Sequence, residues 1–294
     1  MNNPPQAETM RFEVVRKLTI TALFSDDLLF EQLVLKGGNA MNLVHRISSR
    51  TSVDLDFSIE QDFEDQTDVS RRMEEALARR FTPFGWVPFD VKLSPKPSTP
   101  GPNSMSRWGG YKLEFKLVDE NLHRSFYAAG REKLRREALV VGPNQMKVFT
   151  VDFSKWEYTG GKTRTEFDDY TIYVYSPAMI ALEKLRAICQ QMEEYRFIGR
   201  NRRARARDFY DIYVITENTD FSFDDPRSLE LTRLIFGAKE VPLFLLGKIT
   251  DQREFHRVDW PSVRGSVSEK IEEFDYYFDF VVSKIDPLHA LWMK

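Results

Sequence analysis

The sequence predicts an α+β fold: a mixed-sheet domain over residues 1–175, followed by a helical domain over residues 176–294. Three observations carry this. Short runs that are apolar or alternate in polarity recur through the first part of the chain, at 31–35, 52–59, 86–93, 110–118, 147–153 and 169–175. That is the period of two expected of strands. Beyond residue 176 the apolar residues fall three and four apart, at 177–198, 204–217, 227–236 and 268–284, as on amphipathic helices. Ser176-Pro177 marks the switch, because serine suits an N-cap and proline the first helical position.

Residues 1–8 read as a loose tail. Residues 9–24 read as a helix, with Phe12, Val15, Leu18 and Ala22 on one face. The strand at 31–35 runs through Lys36 into Gly37-Gly38, a tight turn, and 39–47 returns to helical character. On the strand at 52–59, residues two apart share a face. Asp54 and Asp56 therefore project together, while Val53, Leu55 and Phe57 point to the core. A charged amphipathic helix follows at 68–81, a Pro/Ser/Gly-rich mobile loop at 94–110, and a basic helix at 127–138 with Arg131, Lys133, Arg135 and Arg136. In the long helix after Ser176, Leu182, Leu185, Cys189 and Met192 form an apolar stripe, and Lys184 lies off it. Phe274, Tyr277, Phe278 and Val281 give the last helix a face that packs on its own domain.

The chain has 294 residues, 30% charged and 42% hydrophobic, with a net charge of −3. That is the make-up of an ordinary globular protein, so any nucleic-acid binding depends on local basic patches. A single cysteine, Cys189, rules out an internal disulfide framework. The four histidines, His45, His123, His256 and His289, lack zinc spacing. The first residues lack the charged and apolar regions of a signal peptide, and no apolar run reaches membrane-spanning length. A cytoplasmic protein without a membrane partner is expected.

Two features carry chemistry. Gly37 and Gly38 let backbone approach a ligand at the start of a helix, an arrangement that cradles phosphates; a plain turn is the alternative. Paired carboxylates such as Asp54 and Asp56 are costly unless a hard cation such as Mg²⁺ neutralises them; a solvated strand face is the alternative. Separately, six arginines fall within Arg196–Arg207 of an acidic chain. Guanidinium groups at that density suit a polyanion, with Tyr195 and Phe197 available to stack a base. A solvated loop is the plainer reading.

The glycine pair, the helix and then Arg50-x-Ser52-x-Asp54-Leu55-Asp56-Phe57 resemble the nucleotidyltransferase toxins of the AbiEii/AbiGii type. These are related to the MenT toxins, within the DNA polymerase β-like nucleotidyltransferase superfamily. Glu183-Lys184-Leu185-Arg186-Ala187 and Arg207-Asp208-Phe209-Tyr210-Asp211 are similar to two further family motifs. Asn39 stands where relatives usually carry Thr or Ser. The resemblance implies a polymerase β-like sheet domain and a helical domain that completes the active-site cleft. It also implies two Mg²⁺ ions held by Asp54, Asp56 and a third carboxylate. Asp152, which shares a face with Val148 and Thr150, is favoured over Glu114, which lies between two lysines.

The resemblance further implies an NTP gripped by Lys36, Gly37, Gly38, Asn39, Arg50, Ser52, Lys184 and Asp208. Asp211 would orient Lys184 or help position the nucleophile; local salt bridging is the alternative for both aspartates. The expected acceptor is RNA, with tRNA 3′ ends leading, contacted by Arg200, Arg202, Arg203, Arg205 and Arg207. The expected setting is a bacterial toxin–antitoxin or phage-defence pair with a separate antitoxin. A protein or small-molecule hydroxyl as acceptor, or an idle RNA- or partner-binding module, are the rival readings.

Overall fold

A computed structural model describes residues 4–48, 52–98, 108–126, 130–195, 197, 202–267 and 269–293. Its centre is a seven-stranded mixed sheet: β1 (Val34–Lys36), β2 (Leu55–Ser58), β3 (Trp86–Lys96), β4 (Gly110–Asp119), β5 (Phe149–Ser154), β6 (Lys162–Phe167) and β7 (Tyr170–Tyr175). The strands lie in the order β3-β4-β5-β2-β1-β7-β6. β2 pairs parallel with β5 and antiparallel with β1, and β1 pairs parallel with β7. The central strands turn apolar residues to the core on one face and leave Asp56, Thr150 and Asp152 half-buried on the other. Leu55, Phe57, Val151 and Phe153 are buried, and the rings of Phe57 and Phe153 stack at 5.5 Å. That stack fixes β2 against β5, the two strands that carry Asp56 and Asp152.

Several boundaries depart from the sequence pattern. The aspartate strand begins only at Leu55. Ser52–Asp54 form a bend, so Val53 is 37% exposed rather than in the core. The reason is a bond from outside the strand: the carbonyl of Asp54 accepts from the Asn39 side chain at 2.6 Å instead of from a neighbouring strand. β3 continues to Lys96, into the segment read as loop. β6 is an edge strand that, among the described residues, pairs only with β7. The helix expected at 39–47 is a helical turn, Gly37–Asn39, followed by a π-helical segment, Ala40–Val44. Within the basic helix expected at 127–138, the described helix is Arg131–Arg136, and a separate short helix, Glu120–Phe126, precedes it.

The helical half runs from Pro177–Cys189 through Ala206–Asn218, Pro226–Ala238 and Trp260–Ser266 to Phe274–Lys284. Ser176 caps the first of these, its hydroxyl accepting from the Met179 amide at 3.3 Å. The stripe Leu182, Leu185, Cys189 and Met192 is buried, as are Phe274, Tyr277, Phe278 and Val281. One continuous apolar core joins this half to the sheet. Among the described residues, no helix is long and apolar enough to cross a membrane.

Candidate active site

The site is a cleft of about 390 Å³ between the sheet and the helical half. β1 delivers Lys36 and then turns. Gly37 adopts φ +70°, and a Cβ there would lie 2.8 Å from Asp56 Oδ2. Only glycine meets both demands. Gly37 and Gly38 line the cleft, and among the described residues no side chain caps the helical turn they open. Asn39 is fully buried. Its Oδ1 accepts from Arg16 at 2.8 Å while its Nδ2 holds the Asp54 carbonyl. Its oxygen is thus engaged by Arg16 and its nitrogen by the Asp54 carbonyl, and the side chain, expected to grip phosphate, does not line the cleft.

The register decides between the acids. Asp56 pairs with Lys36 on one side and with Asp152 on the other. Burial pushes the Asp56 carboxyl up to about 6; Lys36 opposes this, and the charges of Asp152, Glu183 and Asp54 add to it. Asp152 Oδ2 accepts from Lys96 at 2.7 Å, while its Oδ1 is buried without a hydrogen-bond partner among the described residues. Glu114 pairs opposite Thr150, bonds Lys112 at 2.7 Å and does not line the cleft. Asp152 is thus the acid beside Asp56. Asp54, on its exposed bend, lines an adjoining cavity of about 430 Å³. That cavity shares Ser52, Arg205, Arg207 and Asp208 with the cleft. Among the described residues, no three acidic, histidine or cysteine side chains already converge as a metal cage. The donor set still fits a hard divalent cation: two facing carboxylates, one with an orphaned buried oxygen and one whose charge is opposed by its neighbours.

Across the cleft, Lys184 Nζ lies 3.1 Å from Asp208 and 2.5 Å from Asp211. Both aspartates are buried. Burial works against ionisation of Asp208, but Lys184, Arg205 and Arg207 outweigh it and hold its carboxyl below the ordinary range. The aspartates therefore fix the lysine, and Lys184 lines the cleft opposite the glycine turn.

Sequence reasoning missed two residues on the floor of the cleft, Glu157 and Lys239. Glu157 accepts from Arg186 at 2.8 and 3.2 Å and lies 3.6 Å from both Lys36 and Lys239. Glu183 takes Lys36 at 2.5 Å and Arg186 at 3.4 Å. Burial opposes ionisation of Glu157, but Arg186, Lys36 and Lys239 hold it down to about 2. Burial draws Lys239 down to about 8. Three cations thus face two carboxylates beneath the cleft. Glu183 and Arg186 share one helix and a motif already noted, and Lys36, expected to grip the nucleotide, has its ammonium engaged by Glu183 and Glu157; Glu157 and Lys239 come from distant segments that no local spacing could announce.

The arginine run divides. Arg50 and Arg200 lie outside the described residues. Arg202 bonds the Gln191 carbonyl at 2.5 Å, Glu193 at 2.7 Å and Gln252 at 3.1 Å, and sits over the Phe255 ring at 4.4 Å. Its donors hold protein together, which corrects its expected role as an RNA contact. Arg203, Arg205 and Arg207 line the cavity beside Asp54. Tyr195 is buried, donating to the Lys239 carbonyl at 2.9 Å. It therefore offers no face to a base. The helix Arg131–Arg136 does not line the cleft; Arg135 pairs with Asp90 at 2.6 Å.

The family model described as nucleotidyl transferase AbiEii toxin, type IV toxin–antitoxin system, matches residues 20–281. Among solved structures, the fold is similar to that of MenT4, a nucleotidyltransferase toxin from Mycobacterium tuberculosis H37Rv. That match has a TM-score of 0.52 and 18% identity, over 97% of this chain and 85% of the other. JHP933 from Helicobacter pylori superposes over 96% of this chain and 92% of its own, with a TM-score of 0.49 and 14% identity. The chain matches none of the curated proteins.

Proposed function

The chain belongs to the AbiEii family of nucleotidyltransferase toxins of type IV toxin–antitoxin systems, and on that premise we propose that it transfers a nucleoside monophosphate from an NTP to an RNA hydroxyl. The 3′ end of tRNA is the leading acceptor. The observation that carries this reading is the single rung on which Asp56 and Asp152 face each other, beside the glycine turn and opposite Lys184. We take residues 1–175 as the catalytic half and 176–294 as the half that closes the cleft.

Gly37, Gly38, Ser52 and Lys184 bind the triphosphate, and Asp208 and Asp211 keep the Lys184 ammonium aimed at it. Asp56 and Asp152, with Asp54 from the bend, would hold Mg²⁺. When bound, the metal lowers the pKa of the attacking hydroxyl and offsets charge on the phosphates. The acceptor oxygen bonds to the α-phosphorus, the bond to the bridging oxygen breaks, and pyrophosphate leaves. Positioning and charge stabilisation supply most of the rate. Arg203, Arg205 and Arg207, beside Asp54, suit the acceptor's phosphates. The family implies an antitoxin partner; a phage-defence role and a cytoplasmic setting belong with this proposal.

The test incubates the protein with each labelled NTP, Mg²⁺ and total tRNA, beside Asp56→Ala and Asp152→Ala. Label entering tRNA, lost in both variants, is the expected result. Label entering protein or a small molecule replaces RNA as acceptor. Retained RNA binding without transfer from any NTP leaves a binding module and ends the enzymatic reading of this site.

A further inference from the structure

We propose that Trp108 is a stacking platform for a nucleobase in the cleft, an inference that rests on the nucleotidyltransferase reading of the site. Almost everything else that lines the cleft is charged, polar or glycine. The other aromatic ring there, Phe153, is buried in the core, whereas Trp108 is 42% exposed. Phosphates and carboxylates account for the charged walls, but a base also requires a π-face. Tryptophan is the side chain with the largest one.

The sheet order places Trp108 on a definite side of the reaction. Moving across the sheet, one meets β4, then β5 with Asp152, then β2 with Asp56, then β1 with the glycine turn. Neighbouring strands lie about 4.8 Å apart, so β4 and β1 are separated by roughly 14 Å. Trp108 shortly precedes β4, whose first residue Gly110 pairs with Lys96 on one side and Ser154 on the other, and it lines the cleft together with Lys96 and Asp152. The glycine turn takes the β- and γ-phosphates at the far side, and the carboxylates hold the reacting phosphorus in the middle. The Trp108 side is left for a nucleoside.

The backbone behind Trp108 is built to hold it there. Gly109 has φ +100°, and its carbonyl accepts from the Lys155 amide at 3.1 Å. A Cβ on Gly110 would come within 1.7 Å of the Phe153 carbonyl, so β4 packs directly on β5. Trp108 is thus carried on an anchored edge.

A base can come from the incoming NTP or from the end of the acceptor strand, and both present the same chemistry. The experiment titrates the full-length protein, by tryptophan fluorescence, with each NTP, with inorganic tripolyphosphate and with short single-stranded RNA. It compares wild type, Trp108→Phe and Trp108→Ala. Wild-type emission is expected to be quenched by a base-bearing ligand and not by tripolyphosphate, with the quench lost in both variants. Trp108→Ala is expected to raise the KM for the ligand that stacks by about 5- to 150-fold, the worth of one stacked base. Trp108→Phe should recover part of that loss and kcat should change little. A raised KM for NTP assigns the donor base; a raised KM for RNA assigns the acceptor base. Matching circular dichroism and melting curves exclude loss of fold. Unchanged KM for both ligands in Trp108→Ala, or a quench that survives removal of Trp108, overturns the proposal. Absence of transfer by the wild type would instead count against the reading of the site, and the base-dependent quench would still decide Trp108.

Discussion

Replacing Glu157 by glutamine isolates the buried charge network under the cleft. Glu157 is 4% exposed and is the shared partner of Arg186, Lys36 and Lys239. Its carboxyl is held at about 2, against an ordinary value of 4.5. A depressed carboxylate contributes stability that is fully present above the ordinary value and is lost as pH falls toward the folded one. That displacement, at about 1.4 kcal/mol for each pH unit, corresponds to about 3 kcal/mol at neutral pH. Removing the charge also leaves three buried cations facing Glu183 alone, and breaking a buried pair from one side typically costs about 3–5 kcal/mol. The two figures describe the same loss and agree. Glu157→Gln is therefore expected to lower the urea-unfolding free energy by about 3 kcal/mol at pH 7. The gap to wild type should close between about pH 4.5 and pH 2. A variant as stable as wild type at pH 7, or a gap that does not narrow on acidification, would refute the reasoning.

Three further outcomes are expected. Phe57→Ala removes the ring stacked at 5.5 Å on Phe153 and should cost about 3–5 kcal/mol in chemical unfolding, with transfer activity falling at temperatures where the fold survives. Lys184→Ala should lose at least about 100-fold in transfer rate, since an aimed cation on the leaving charge is typically worth that much. It should also lose stability, because Asp208 and Asp211 are left buried together. Adding Asp211→Asn should restore melting temperature but not transfer, and recovery of both would remove Lys184 from the chemistry. Lys96→Met frees Asp152 from an ammonium 2.7 Å away. It is expected to lower the Mg²⁺ concentration for half-maximal rate by about two- to five-fold, as suits a solvent-screened pair; a higher requirement would contradict the assignment of Asp152.

How far each feature could be read from sequence depends on the reach of the interactions that settle it. The glycine turn, the Asp56 strand and the Ser176 cap were legible because each is decided within a few residues, by φ, by period or by one hydroxyl. Choosing Asp152 over Glu114 rested on which side chains share a face, and the register sets Asp152 opposite Asp56 and Glu114 opposite Thr150. The same period-two logic failed at Val53, because a long-range bond from Asn39 ends the ladder early. Tyr195 reads as a solvated aromatic among charges, yet its hydroxyl bonds a carbonyl 44 residues away. Glu157, Arg186 and Lys239 meet only after the chain folds. Lys96 and Trp108 flank a Pro/Gly-rich stretch whose composition masks two residues of the cleft wall. β6 was missed because Lys162–Phe167 is largely polar, as an edge with a single neighbour allows.

One contact bears on how the two halves are held. Lys36 belongs to the sheet and Glu183 to the helix that opens the other half, and they meet at 2.5 Å with most of both side chains withdrawn from solvent. Pulling the jaws apart along this seam would strand opposite charges in a poorly polarisable interior, at a cost of several kcal/mol. The seam between the two halves is thus tied by an ion pair in the wall of the cleft itself, so a substitution of either partner bears on the shape of the cleft as well as on the stability of the fold.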